Sequence, residues 1–223
     1  MLSLPNELEQ QSSSSTSLPS VPTPEMELLG FKHSQKFYLD KNRVIIYDEE
    51  HNSVEATSLG DALLREDEVP LIKLYKKFDI PPEKMYLKVP CIARNNWRPF
   101  NCKNSMRREI RNLTEIKHPN IPKLYGYREL DGYILGLYID KYDITLEDLL
   151  KSKVNFDRHK FFAKLCEIVK SIHKQGYVHA DINRFNVMVK KENLDEPFLI
   201  DFDSAEKIGA EIKYLMKILT IIY

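Results

Sequence analysis

The stretch "YVHADINRFNVMVKKENLDEPFLIDFDSAEKIG", residues 177–209, decides the fold. It holds two short apolar runs, VMV and FLI, which are typical of buried strands. Polar side chains stand at the outer ends of these runs: Asp181 and Asn186 precede the first run, and Asp201 follows the second. If the two runs pair as a hairpin, their outer ends meet, and we expect the three side chains to converge.

The converging residue types indicate a metal site. Carboxylate and amide oxygens are the ligands that Mg²⁺ prefers, and a free carboxylate beside a metal can orient an attacking hydroxyl. Two plainer interpretations stay open at this point. Asp181 and Asn186 could cap local turns, as Asx residues often do, and Asp201 could mark the end of a strand.

The composition argues against several classes of protein. Lys plus Arg and Asp plus Glu number 33 each, and this balance is not that of a general nucleic-acid binder. The longest apolar run, Tyr133 to Ile139, is too short to span a membrane. Three widely spaced cysteines fit neither a disulfide framework nor a zinc site, so we expect a reducing intracellular compartment, cytoplasmic or nuclear.

The patterns along the chain change twice. Residues 1–25 are rich in Ser and Pro and poor in large apolar residues, so they predict a disordered tail. This tail lacks the basic start and the apolar core of a signal peptide. The remainder changes from a strand-rich first half with one helix to a helical second half, which is followed by the two short strands of the opening stretch.

Turn residues place the strands of the first half. KFYLDKNRVIIYDEE predicts two strands around a polar turn at 40–42. KMYLKVPCIA, residues 84–93, predicts a strand that ends near Pro90. The Asp-Gly pair at 131–132 lies between alternating apolar residues and predicts a hairpin whose two turn residues have positive φ. Residues 59–78 give no firm assignment.

Apolar spacing places the helices. The first is predicted to end near Pro119, because Pro disfavours helical geometry in the residue before it. Its apolar stripe consists of Met106, Ile110, Leu113 and Ile116. A short second helix begins at the capping residue Thr145. The clearest helix covers 157–175, before Gly176, and residues 210–223 could form another.

Several motifs, in the right order, resemble those of the protein-kinase superfamily. HADINRFN, residues 179–186, resembles the catalytic loop H-R-D-x-x-x-x-N, and DFD, residues 201–203, resembles the D-F-G metal motif. Residues 109–121 resemble the helix C region with its HPNI turn, and the lysine of YLKV resembles the strand-three lysine. The resemblance implies a two-lobed kinase-like α+β fold, with a strand-rich N-lobe over 26–140 and an incomplete helical C-lobe over 141–223.

The resemblance also implies a role for each matching side chain. Lys88 would hold the α- and β-phosphates of ATP and pair with Glu109. Asp181 would position the acceptor hydroxyl and accept its proton. Asn186 and Asp201 would bind Mg²⁺. On the residues alone, Lys88 and Glu109 could also be an ordinary surface pair.

Further positions follow from the same resemblance. Leu137 lies near the gatekeeper place, and the hinge backbone after it would bind the cofactor. The hinge residues are Tyr138, Ile139 and Asp140. Asn183 stands where Ser/Thr kinases carry a catalytic Lys near the γ-phosphate, and a neutral amide gives weaker help to developing charge. His179 would brace the loop by packing.

Three departures from the family pattern change these expectations. Ala180 replaces the Arg that docks a phosphorylated activation loop, so that type of switch is not expected. Asp203 replaces the Gly of D-F-G and brings another carboxylate near the metal. Gly60 is the single glycine between Gly30 and Gly126. The G-x-G-x-x-G loop over the phosphates is therefore missing, and nucleotide binding would be weaker or built differently.

The end of the chain departs from the family as well. It lies 20 residues after Asp203, with no A-P-E motif, which predicts a truncated kinase domain. A shortened C-lobe would leave Phe161 and Phe162 poorly covered, so self-association through that surface is expected. A basic cluster in the first helix is interpreted as the solvent-exposed face of that helix rather than as a nucleic-acid-binding patch: Lys103, Arg107, Arg108 and Arg111.

We therefore expect an ATP- and Mg²⁺-dependent phosphotransferase, with protein Ser/Thr kinase activity as the first hypothesis. Its partners would be a protein substrate and a nucleotide, and neither a nucleic acid nor a membrane is expected. One alternative is a pseudokinase, a binding module without turnover, which the missing glycine loop favours. Another is a small-molecule kinase of the aminoglycoside-phosphotransferase type.

Overall fold

A computed structural model describes residues 21, 23–32, 35–41, 43–79, 83–90 and 102–210. Most of the predicted tail over 1–25 and nearly all of the possible helix over 210–223 lie outside the described residues. Within the described part, no helix is both long and apolar enough to cross a membrane.

The described residues form the following elements. The strands are β1 (Glu27–Lys32), β2 (Gln35–Asp40), β3 (Arg43–Asp48), β4 (Ser53–Ser58), β5 (Leu64–Arg65), β6 (Lys76–Lys77), β7 (Met85–Lys88), β8 (Leu124–Leu130), β9 (Tyr133–Asp140), β10 (Ile144–Thr145), β11 (Tyr177–Val178), β12 (Val187–Lys190), β13 (Asn193–Leu199) and β14 (Glu206–Lys207). The helices are α1 (Leu59–Ala62), α2 (Cys102–Glu115), α3 (Leu146–Ser152) and α4 (Arg158–Lys174). Short 3-10 helices occupy Glu66–Glu68, Pro70–Leu74 and Phe202–Ser204.

The first sheet is an antiparallel meander in the order β1-β2-β3-β4. Its β2 and β3 are the two strands that the sequence predicts around the turn at 40–42. Phe37 of β2 and Val44 of β3 are fully buried. They form a small core with Leu63 and with Leu135 of β9. This core joins the meander to the second sheet.

The second sheet is built around β9. One edge of β9 pairs with β8 along its length, and the other edge pairs with β5 near its start and with β7 near its end. The register sets Lys88 of β7 opposite Leu137, and Met85 opposite Asp140. The predicted strand over 84–93 is therefore present at Met85–Lys88, while residues 91–93 lie outside the described part.

The hairpin between β8 and β9 turns as predicted. Asp131 has φ 50° and Gly132 has φ 80°, a pair of left-handed residues that matches the twist of the strands. No atom lies near the position that a Cβ of Gly132 would occupy, so the backbone alone requires glycine there.

Helix α2 ends where the sequence predicts. Its last residue is Glu115, and the chain leaves helical geometry before Pro119. The predicted apolar stripe is buried in the main core: Met106, Ile110, Leu113 and Ile116. Helix α3 begins at Thr145, whose side chain accepts a hydrogen bond from the Asp148 backbone N–H, as expected for a cap.

Helix α4 packs against β13 and corrects one expectation. The sequence predicts that Phe161 is poorly covered, but this side chain is fully buried. It lies in one core with Val189 of β12 and Leu199 of β13, because the β12–β13 hairpin covers the apolar stripe of α4. Phe162 is 37% exposed. Self-association stays a prediction, without Phe161 as its basis.

The two apolar runs of the opening stretch pair as a hairpin. In β12 and β13, Val187 lies opposite Leu199, and β10 adds a third strand beside β12. At the open end, the Ile200 backbone N–H donates to the Asn186 carbonyl, 2.9 Å apart. The outer ends of the runs therefore meet, as the sequence predicts.

Candidate active site

A cavity of about 470 Å³ lies where the two sheets, α2 and the β12–β13 hairpin come together. Its polar lining includes four residues of the predicted site, Lys88, Glu109, Asn186 and Asp201, and in addition Ser105 and Asp203. Its apolar lining includes Tyr86, Leu137, Ile139, Met188 and Ile200. A pocket with a few converging polar groups and mainly apolar walls is the usual form of a small-molecule site.

Lys88 links two elements at the centre of the polar lining. Its Nζ lies 2.7 Å from Glu109 Oε2 of α2 and 3.0 Å from Asp201 Oδ1 after β13. Glu109 is 2% exposed. An ordinary surface pair is therefore excluded, and Lys88 and Glu109 form the buried ion pair that the kinase resemblance implies.

The charges of this cluster control one another. Burial alone would lower the pKa of Lys88, but the carboxylates of Asp201, Glu109 and Asp203 raise it above its ordinary value, so the side chain is an ammonium. Burial raises the pKa of Glu109, and Lys88 opposes that rise. Burial and the neighbouring Asp201 also raise the pKa of Asp203. Lys88 therefore holds carboxylates that would otherwise repel one another.

Gly136 of β9 explains how Lys88 reaches this position. A Cβ on Gly136 would lie 2.7 Å from Leu87 Cδ1 and 2.9 Å from the Lys88 carbonyl oxygen. Strand β7 can therefore lie this close to β9 only because residue 136 has no side chain. Sequence spacing gives no sign of this role, because it depends on a strand distant in the chain.

The loop before β12 holds Asp181 through side-chain amides. Asn186 Nδ2 donates to Asp181 Oδ2 at 2.8 Å, and Asn183 Nδ2 donates to Asp181 Oδ1 at 3.1 Å. Asn183 Oδ1 in turn accepts from the Phe185 backbone N–H at 2.8 Å. Turn capping, which the sequence suggests for Asp181 and Asn186, is instead the role of Asn183. Asp181 accepts hydrogen bonds from the two Asn side chains and is itself exposed.

His179 occupies the position of a bracing residue. It is buried, and its Nε2 lies 2.9 Å from the Ile200 carbonyl oxygen. Its ring packs edge-on against the Phe202 ring, with 4.7 Å between the ring centroids. Burial lowers the pKa of His179, which favours the neutral ring. These contacts fit the packing role that the resemblance implies.

The hinge differs in detail from the expectation. Tyr138 is fully buried, and its ring packs edge-on against the Phe78 ring, with 5.5 Å between the ring centroids. Its side chain therefore does not line the cavity. Ile139 and Asp140 do line it. Strand β9 continues through Asp140, and the connection between the sheet and the helical part therefore lies at 141–143.

Beside its apolar stripe, α2 carries a polar stripe that holds the DFD segment and that was not predicted from the sequence. Asn112 Nδ2 donates to the Phe202 carbonyl at 2.7 Å and to the Ala205 carbonyl at 2.8 Å. Arg108 Nε donates to the Asp203 carbonyl at 2.6 Å, and Ser105 donates to the Asp203 carboxylate. Positions spaced by three and four residues share one helix face, so this pattern is the signal that could have revealed the contact.

The same contacts correct the interpretation of the basic cluster. Arg108 binds the DFD segment, as above, and Arg111 Nη2 lies 3.4 Å from Glu206 Oε2. Part of the face predicted to be solvent-exposed therefore packs on the segment after Asp201. That residue has φ 66°, a left-handed conformation that is uncommon in a non-glycine residue and is held here by its anchored neighbours.

Replacing Asn112 with Leu should destabilise the protein by about 2 kcal/mol, because two buried carbonyls would lose their donor. Urea unfolding measures this loss. Asn104 lies on the exposed side of the same helix, so Asn104→Leu is the matched control and should change stability by less than about 0.5 kcal/mol. Equal losses in the two variants would contradict the role of Asn112.

The donors around the cavity suit a hard cation. Glu109, Asp201 and Asp203 bring carboxylate oxygens within 4.8 Å of one another, and Asn186 lines the same cavity. The Asn186 amide nitrogen is committed to Asp181, which leaves its carboxamide oxygen as the metal-binding atom. These oxygen donors fit Mg²⁺, and Asp201 and Asn186 are the residues that would hold it.

Known kinases resemble part of this chain. It is similar to serine/threonine-protein kinase kin-29 of Caenorhabditis briggsae, 30% identical over 100 residues, and to dual specificity protein kinase Ttk of Danio rerio, 30% identical over 118 residues. These alignments cover 44% and 51% of this chain but 12% of each relative. Putative serine/threonine-protein kinase L673 of Acanthamoeba polyphaga mimivirus is 28% identical over 136 residues, which are 57% of this chain and 24% of that protein.

One solved structure and one protein family also resemble this chain. The chain is similar to WbdD in its co-crystal structure with the kinase inhibitor LY294002, with 18% identity, a TM-score of 0.45 and coverage of 79% of this chain and 32% of that chain. The family described as protein kinase domain matches residues 89–223. That match takes in α2, the loop with Asp181 and the DFD segment, and it covers more than half of the chain. The chain therefore belongs to the protein kinase family.

Proposed function

We propose that this chain is an ATP- and Mg²⁺-dependent phosphotransferase that phosphorylates Ser or Thr residues of proteins. One observation carries the proposal: a single cavity joins the buried Lys88–Glu109–Asp201 cluster to Asn186, which in turn binds Asp181. A cation for phosphate, oxygen donors for a metal and an exposed carboxylate for the acceptor thus lie together.

The polar cluster prepares the phosphate-binding part of the site. When bound, ATP supplies the phosphoryl group, and Mg²⁺ offsets its charge. Asp201 and Asn186 would hold the metal. Lys88, kept as an ammonium by its carboxylate neighbours, would bind phosphate oxygens. The ion pair with Glu109 would hold the Lys88 Nζ in position for them. The pair acts by positioning and electrostatics rather than by covalent chemistry.

Asp181 would act on the acceptor. Both carboxylate oxygens receive amide hydrogen bonds, from Asn183 and Asn186, so the carboxylate keeps one orientation while it remains open to solvent. It would align the acceptor hydroxyl and take its proton as the phosphoryl group is transferred. Asn183, which replaces a Lys, would serve this orientation instead of contacting the γ-phosphate.

The acceptor class rests on relatives. The similar proteins described above are named as Ser/Thr and dual-specificity kinases. The chain spans 12% to 24% of the length of these three relatives, so a protein substrate is part of the proposal. The intracellular compartment expected from the cysteines stays a prediction.

A binding module without turnover is the second candidate. Asp203 replaces the Gly of D-F-G, and its carboxylate lies in the same cavity as Lys88 and Asp201. The added negative charge would oppose a polyanion, as would the absence of a glycine-rich phosphate loop. Such a module would bind Mg²⁺-ATP weakly or not at all and would transfer nothing.

A transfer assay decides between the candidates. The purified chain is incubated with ATP labelled at the γ-phosphate and Mg²⁺, together with a mixture of proteins or, in a separate reaction, with aminoglycosides. Acid hydrolysis of the labelled protein identifies the labelled residue. The proposal predicts Mg²⁺-dependent label on Ser or Thr. No transfer to any acceptor supports the binding module instead, and the lack of a thermal shift with Mg²⁺-ATP is the result expected for it. Label on an aminoglycoside, with none on protein, supports the small-molecule kinase.

A further inference from the structure

The loop that carries Asp181 is attached to helix α3. Arg184 lies within this loop, between Asn183 and Asn186, the two residues whose amides bind Asp181. The Glu147 backbone N–H of α3 donates to the Arg184 carbonyl oxygen, 3.1 Å apart. N–H groups in the first turn of a helix have no partner within the helix, so the loop supplies the acceptor that this one needs.

The side chains of the same two residues also meet. Arg184 Nη1 lies 3.0 Å from Glu147 Oε2, and Lys151 Nζ, one turn further along α3, lies 3.1 Å from Glu147 Oε1. Glu147 is 8% exposed, and a buried carboxylate is costly unless nearby cations compensate its charge. One residue of α3 therefore holds both the backbone and the side chain of Arg184.

Helix α3 is a firm support for this contact. Its Leu146 and Leu149 are buried in the main core, and the strand before it, β10, pairs with β12. The Glu147–Arg184 contact therefore attaches the loop before β12 to a part of the fold that packing already fixes.

Arg184 supports the acceptor side of the site more than the metal side. Asn186 has a support of its own, because its carbonyl accepts from the Ile200 backbone N–H at 2.9 Å. The Asp181 carboxylate lies outside the strands and takes its orientation from the Asn183 and Asn186 amides. A displacement of Arg184 would move Asn183, its neighbour in the chain, and Asp181 with it.

We propose that the Arg184–Glu147 pair positions the loop of Asp181 for phosphate transfer, by holding it in the geometry that the acceptor hydroxyl requires. The inference rests on the proposed function, because that proposal gives Asp181 its role toward the acceptor. Arg184 acts here through Glu147 and without contacting the acceptor. Neither residue of the pair lines the cavity, so the pair should affect the transfer step and leave the binding of Mg²⁺-ATP unchanged.

Single-turnover transfer and calorimetric titration of Mg²⁺-ATP test this inference. Arg184→Met should lower the transfer rate by about 10- to 100-fold, because a small displacement of a reacting group is sufficient for such a loss, and should leave the Kd unchanged. Glu147→Gln should slow transfer to a similar extent. The double variant should be no slower than the slower single variant, as expected for two residues that act together. Arg43→Met, which removes an ion pair with Asp40 in the first sheet, is the matched control and should change neither quantity.

Any of three results would overturn the inference. If Glu147→Gln transfers phosphate at the unmodified rate, Arg184 does not act through Glu147, and a loss in Arg184→Met alone would indicate direct contact with the acceptor. Losses that add in the double variant would show that the two residues act separately. If Arg184→Met weakens Mg²⁺-ATP binding as much as it slows transfer, the pair supports the nucleotide and not the acceptor loop.

Amide hydrogen exchange separates this inference from the proposed function. The Phe185 backbone N–H donates to Asn183 Oδ1 at 2.8 Å, so its exchange reports on the loop without any catalysis. Arg184→Met should speed this exchange by about 2- to 5-fold, the effect of losing an ion pair with one exposed partner. Unchanged exchange would contradict the inference. If exchange rises but the unmodified protein transfers no phosphate, the support of the loop by Arg184 stands and the transferase proposal falls.

Discussion

Replacing Asp181 with Asn should lower the rate of phosphate transfer by about 10²- to 10⁴-fold, the usual contribution of a positioned general base. The carboxamide has nearly the shape of the carboxylate, but it cannot accept the proton of the acceptor hydroxyl. Asp181 is exposed and is not among the residues that line the cavity, so the Kd for Mg²⁺-ATP should not change. Single-turnover transfer and calorimetric titration measure the two quantities.

The control for this variant is a carboxylate outside the cavity. Asp67 is exposed and pairs with Arg65 at 3.1 Å, so Asp67→Asn should leave both the rate and the Kd unchanged. If Asp181→Asn transfers phosphate at the unmodified rate, Asp181 is not the base. If it loses nucleotide binding as well, Asp181 holds the nucleotide and the proposed division of roles is wrong.

Replacing Lys88 with Met should destabilise the nucleotide-free protein by about 3 kcal/mol, because it leaves a buried charge without its partner. Glu109 is 2% exposed, and Lys88 provides the ion pair that offsets its burial. The double variant Lys88→Met/Glu109→Gln should recover most of this loss. Urea unfolding of the single and double variants measures both effects.

The loss in Lys88→Met should depend on pH. Burial raises the pKa of Glu109 in the folded state, so the folded state binds this proton more tightly than the unfolded state. Stability from this group is present below the unfolded pKa and falls as pH rises toward the folded pKa. Without Lys88 the folded pKa is higher still, so the variant should lose more stability at pH 8 than at pH 5.

A surface lysine provides the control. Lys77 is half exposed and contacts Glu66 at 2.7 Å, and exposed pairs contribute no more than about 1 kcal/mol. Lys77→Met should therefore cost little. If Lys88→Met costs no more than this control at neutral pH, the buried ion pair does not stabilise the fold.

The parts of the fold that the sequence predicts are those that depend on local chemistry. The turn at 131–132, the end of α2 before Pro119 and the cap at Thr145 each follow from residues a few positions apart. The short strands and 3-10 helices within 59–78 do not, because two-residue strands carry no period. The two-residue strands β5 and β6 form where they pair with β9 and β8.

The candidate site divides in the same way. Lys88, Asp181 and Asp201 stand in recognisable motifs. Lys88 and Asp201 line one cavity, and Asp181 is joined to it through Asn186. Asn112 holds the DFD segment, and Gly136 lets β7 lie close to β9. Both roles depend on a partner distant in the chain, which sequence spacing does not predict. The burial of Phe161 has the same origin, since its cover comes from the β12–β13 hairpin.

The most direct test of the central claim, that this cavity is a metal–nucleotide site, is the calorimetric titration of ATP with and without Mg²⁺. Glu109, Asp201 and Asp203 together outweigh the charge of Lys88, so a triphosphate should bind much more weakly when no metal is present. If the cavity is such a site, ATP should bind tightly with Mg²⁺ and much more weakly after chelation, and Mg²⁺ should have no effect on ATP binding in Asp201→Asn. Equal ATP affinity with and without Mg²⁺ would contradict it.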